Sequence, residues 1–79
     1  MKTPVLFPNP TEGYMSIDLK EKHEYIAIEI TSLDGKIVSR TDYISVSKVQ
    51  LNLQGKPGIY FFEIIGNEGR TARYKVIKR

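Results

Sequence analysis

Gly58-Ile59-Tyr60-Phe61-Phe62-Glu63-Ile64-Ile65-Gly66 is the longest and most apolar run in the chain, and two glycines bracket it. Apart from Glu63, the residues between the brackets are aromatic or β-branched, the types that a packed pleated surface prefers. In an extended chain Tyr60, Phe62 and Ile64 share one face, and Ile59, Phe61, Glu63 and Ile65 share the other. Both faces are largely apolar, so the run reads as a central strand with little exposed surface.

Turn chemistry flanks this strand on both sides. Gln54-Gly55-Lys56-Pro57 precedes it, and Asn67-Glu68-Gly69 follows as a three-residue hairpin loop with Gly69 suited to the left-handed position. Arg70–Arg79 then returns as the last strand, with Ala72, Tyr74 and Val76 inward and Arg73 and Lys75 outward.

Upstream the same alternation recurs. Val5-Leu6-Phe7 is a short apolar segment stopped by Pro8-Asn9-Pro10, which forbids a helix and predicts a rigid corner whose Asn side chain bonds nearby backbone. Tyr14–Lys20 alternates with Met15, Ile17 and Leu19 inward. Glu21-Lys22-His23-Glu24 is a charged break. Tyr25–Leu33 resumes with Ile26, Ile28 and Ile30 inward and Ala27, Glu29 and Thr31 outward. Asp34-Gly35 predicts a type I′ hairpin turn. Lys36–Thr41 is the returning strand, with Val38 its inward residue. Asp42–Ser47 reads equally as a packed loop or a strand edge, and Lys48–Leu53 alternates with Val49, Leu51 and Leu53 inward. About seven short strands spaced by turn signals predict an all-β, antiparallel, immunoglobulin-like β-sandwich, with a small barrel as the alternative.

Composition bounds what such a domain does. Its 79 residues make a single domain, 1–79, with room for one core. The chain has no cysteine, so neither a disulfide nor a thiolate site assists folding. No apolar run approaches the roughly 20 residues of a membrane helix, so no membrane insertion is expected. The net charge of +3 is too modest to imply nucleic acid. Arg70, Arg73, Lys75, Lys78 and Arg79 crowd into ten residues, but their alternation with Tyr74 and Val76 suits a guarded outer strand better than a nucleic-acid surface. His23 is the sole histidine and sits in a charged stretch, where a solvated role is expected and no metal site. None of the serines has a nucleophile-elbow motif, and no Gly-rich phosphate loop leads into a helix. The expectation is no enzyme and no cofactor.

Four motifs together resemble the type A C-terminal sorting domain of the type IX (Por) secretion system of Bacteroidetes. They are Phe7-Pro8-Asn9-Pro10-Thr11-Glu12-Gly13, Leu33-Asp34-Gly35-Lys36-Ile37-Val38, Gly58-Ile59-Tyr60-Phe61-Phe62 and Lys75-Val76-Ile77-Lys78, in the family's order and spacing. The loop before Gly58 lacks that family's commoner Leu-Pro pair. The resemblance implies a seven-stranded immunoglobulin-like fold and a non-catalytic address label that follows a cargo. Ahead of Val5 there is no cargo, so the domain is expected to be excised from a larger secreted protein. The label would direct that cargo from the periplasm through the outer-membrane translocon to the surface or medium, where a sortase-like peptidase would usually remove it.

Carried onto this sequence, the signal residues implied are Pro8, Asn9, Pro10, Gly35, Lys36, Gly58, Tyr60, Lys75, Val76 and Lys78. Gly35, Gly58 and Tyr60 would hold the fold. Lys75 and Lys78 would meet the machinery, and a partner strand would add to the edge they occupy. A monomer, or a weak dimer through an edge strand, is the expected state. The alternative reading is an immunoglobulin- or fibronectin-like accessory module that binds carbohydrate or protein, and it requires exposed aromatics gathered at one spot.

Overall fold

The computed structural model describes residues 2–79, and the chain it describes is all-β and antiparallel. The strands are β1 (Val5–Phe7), β2 (Tyr14–Ser32), β3 (Ile37–Asn52), β4 (Gly58–Gly66) and β5 (Thr71–Lys78), with one short 3-10 turn at Asn67–Gly69.

The seven alternating stretches of the sequence are all present, but two pairs of them are fused. The charged stretch after Leu19 does not end a strand. Lys20 takes φ +68°, its N–H bonds the Asp18 carboxylate at 2.9 Å, and the register with β3 shifts between Asp18 and His23. β2 therefore turns a corner while staying paired. β3 turns in parallel at Ser45, φ +55°, so Asp42–Ser47 is strand and not loop. The first arm of β2 lies between β1 and the end of β3, pairing Leu6↔Ile17 and Ile17↔Val49. The second arm lies between the start of β3 and β4, and β5 closes that side, in the order β3-β2-β4-β5.

Three strand segments thus face four across a single core. Met15, Ile17, Leu19, Val49 and Leu53 come from the first group, and Ile26, Ile28, Ile30, Tyr60, Phe62, Ile64 and Val76 from the second. Tyr60, Phe62 and Ile64 are buried, while Ile59, Phe61, Glu63 and Ile65 are half-covered on the outer face, as the central-strand reading requires. Each large side chain buried in this way contributes about 1.5–3 kcal/mol.

Several local expectations change. The Asp34-Gly35 hairpin forms, but not as a type I′ turn. Ser32 N–H bonds Lys36 O at 2.8 Å and Gly35 N–H bonds Ser32 O at 3.0 Å, so the loop has three residues and Gly35 alone takes positive φ, at +88°. The bulge that follows, between Ile30 and Thr31 on the β2 side, puts Val38 on the rim of a cleft rather than in the core. Ala27, expected outward, is fully covered because it sits in the sheet's middle between Asp42 and Ile65. His23 is half-buried in the bend of β2, not solvated; its Nε2 has no hydrogen-bond partner among the described residues, and Glu21 Oε2 lies 3.6 Å away.

Candidate functional site

The Pro8-Asn9-Pro10-Thr11 corner cannot be helical, and its extended backbone runs beside the far end of β5. The Asn9 side chain does not serve its own turn. Its Nδ2 donates to Lys75 O at 2.9 Å, and its Oδ1 accepts from Ile77 N–H at 3.0 Å. One amide thus matches the donor and acceptor that alternate along a strand edge. Thr11 continues the contact with backbone bonds, Thr11 N–H to Ile77 O and Arg79 N–H to Thr11 O, both 2.8 Å, forming a parallel bridge to Lys78.

The corner is fixed from behind. Thr11 is 1% exposed; its Oγ1 donates to Tyr14 O at 2.8 Å and accepts from Gly13 N–H at 3.0 Å. Gly13 has φ +139°, its carbonyl accepts from Leu53 N–H at 2.8 Å, and a Cβ there would stand 2.7 Å from Asn52 Oδ1. In sequence Thr11 and Gly13 stand inside a motif without roles of their own. The signal was a hydroxyl two residues before a glycine, the pattern of a hydroxyl-capped turn.

The other three motifs arrive at this same end. Gly58 pairs with Lys78, Tyr60 pairs with Val76 and with Ser32, and the 33–35 loop follows directly from Ser32. Leu33, Asp34, Pro57, Gly58 and Ile59 line one shallow depression. Tyr60 is buried, and its O–H donates to Lys56 O, tying down the turn ahead of β4. Gly55, φ +116°, is the close neighbour of that hydroxyl. Lys78 Nζ donates to Gly55 O, so Lys78 clamps the turn instead of projecting freely. Val76 is fully buried in the core. Lys36, Lys75, Pro8, Pro10 and Gly35 are exposed. Ser32 Oγ donates to the Asp34 carboxylate, and this hydrogen bond holds Asp34 below the usual aspartate range.

The edge of β5 is therefore not open along its length. Between Lys75 and Arg79 its outward backbone groups are taken by Asn9 and Thr11, which excludes strand addition at that place. Above it Arg73 lies over the Phe61 ring at 4.7 Å. Among the described residues no three His, Asp or Glu side chains converge on one point.

The family model for the secretion system C-terminal sorting domain matches residues 5–79. The chain belongs to that family. The sorting domain is a C-terminal signal for type IX secretion, which delivers cargo to the outer-membrane surface or the extracellular space, and its family is not known as catalytic. No curated protein matches the sorting domain. Nothing favours the accessory-module reading. Tyr14 is 70% exposed, but Tyr25 and Tyr43 are half-buried, and Tyr43 packs against the core, so these three tyrosines form no exposed cluster.

Proposed function

We propose that the end of the sandwich where the four motifs meet is the face read by the type IX translocon. The observation that supports this is their convergence: residues spread from Pro8 to Lys78 share one end through the pairs Ser32↔Tyr60, Gly58↔Lys78 and Thr11↔Lys78. Within that end the residues divide by their contacts. Asn9, Gly58, Tyr60, Val76 and Lys78 assemble it. Pro8, Pro10, Gly35, Lys36 and Lys75 present it, with Lys36 and Lys75 supplying positive charge.

A cargo fused ahead of the domain reaches the periplasm by its own N-terminal signal. The folded domain then engages the translocon, and a sortase-like surface peptidase removes it after passage. Folding before recognition is a physical necessity for this reading, because the face exists only once residues far apart in sequence have docked.

The test is delivery of a periplasm-targeted fluorescent protein carrying the domain at its C-terminus, in a Bacteroidetes host with the type IX system. Lys36→Glu with Lys75→Glu changes only exposed charge, so its melting temperature stays near that of the original chain. Loss of surface delivery by this folded variant is the expected result. Delivery equal to the original would refute the charged face. Mass spectrometry of the surface product reports whether the domain has been removed.

A further inference from the structure

A sheet edge is an open template unless something blocks it, and three of the four edges here are blocked. β1 is three residues long between Pro4 and Pro8. The second arm of β3 carries Lys48. β5 is covered by the corner from Lys75 onward, which leaves only Thr71–Tyr74 open. The fourth edge is the first arm of β3, Ile37 to Val46. It contains no Lys, Pro or Gly, it pairs with β2 on one side only, and Ile44 in it is 76% exposed.

The bonding phase of that edge follows from the sheet. Lys75, Ile77 and Arg79 turn their backbone groups away from β4, so bonded pairs alternate inward from there. Carried across β4 and β2, the alternation turns Thr41 toward β2 and leaves the N–H and C=O groups of Arg40, Asp42 and Ile44 facing outward. Ser32 N–H bonding Lys36 O and Gly66 N–H bonding Arg70 O agree with this phase.

The only charges on this arm are Arg40 and Asp42, of opposite sign and two residues apart on one face. When two such edges run antiparallel about Thr41, each Arg40 stands opposite the other copy's Asp42. The two residues whose backbone groups face outward are then also the two that meet as opposite charges. Their side chains are 50% and 61% exposed, and within one chain Arg40 lies 3.9 Å from Asp42 and 3.7 Å from Glu29, so a second copy adds a partner to each charge at the surface rather than meeting a free one.

We infer that the first arm of β3 is a self-complementary edge that pairs with a second copy of this chain, in the register Thr41 to Thr41 with two reciprocal Arg40–Asp42 contacts. A single short strand pair is a small contact of the transient kind, so association is sought at high protein concentration, on the order of 0.1–1 mM.

Sedimentation equilibrium of the 79-residue chain over that range tests it, with three companions. Asp42→Arg places two like-charged pairs in the interface and weakens association at least about tenfold. Arg40→Asp with Asp42→Arg and Glu29→Gln, the last sparing the new carboxylate the like charge that faces position 40, restores the complementarity and the dimer. Thr41→Cys adds a lone thiol to a cysteine-free chain at a position where the two copies' Cα atoms would lie about 4.5 Å apart, within disulfide reach. Oxidation then gives a covalent dimer that Thr41→Cys with Asp42→Arg does not. A chain that stays monomeric at about 1 mM, and whose Thr41→Cys variant fails to cross-link, overturns the inference. So does dimerisation that Asp42→Arg leaves unchanged.

Discussion

The side-chain amide of Asn9 donates to the backbone carbonyl of Lys75 at 2.9 Å, across 66 residues of sequence. The same amide accepts from Ile77 N–H, so a loop residue behaves as one more rung of the sheet. Each such bond is worth about 0.5–1.5 kcal/mol net, so Asn9→Ala costs about 1–3 kcal/mol. In a domain of this size that lowers the melting temperature by at least about 4 °C, measurable by circular dichroism. Amide exchange at Ile77 rises more than at Ile64. Equal effects at both sites would mean that Asn9 does not guard the edge.

Gly13 gives a second test. Its positive φ and the 2.7 Å approach to Asn52 Oδ1 oppose any Cβ. Gly13→Ala is destabilising by about 1–3 kcal/mol, with chemical-shift changes centred on Thr11, Asn52 and Leu53. Gly35→Ala meets no atom within 4 Å and is penalised by conformation alone, so it costs less. The reverse ranking in urea melts would contradict the placement of the corner.

Much of this fold was legible because apolar alternation survives even where the strands bend. The inward sets around Ile17, Ile28 and Phe62 are those buried in the structure. The fusion of β2 and β3 was not legible. A charged stretch such as Glu21–Glu24 reads the same whether it loops out or rounds a corner while paired, and the corner depends on a partner strand bending with it at Ser45. Motif order located the candidate site but did not give the residues their roles. Lys78 looks free in sequence and is tethered to Gly55, while Asn9 looks local and is bonded to β5, because both partners lie far away along the chain.

Asp34 titrates low because Ser32 Oγ donates to its carboxylate, with lesser help from backbone N–H groups and Lys36. A carboxylate whose pKa falls on folding adds stability above the unfolded value near 3.8, and that contribution is lost as pH drops through the lower folded value. Ser32→Ala moves the Asp34 titration seen by NMR upward toward the ordinary value. An unmoved titration would remove Ser32 as the cause.

The most direct measurement is delivery itself. A periplasm-targeted fluorescent protein is made with and without this chain at its C-terminus, in hosts that have or lack the type IX translocon. Fluorescence at the surface or in the medium only when both domain and translocon are present is the predicted result. Retention in the periplasm of a fusion whose domain is folded would contradict the account.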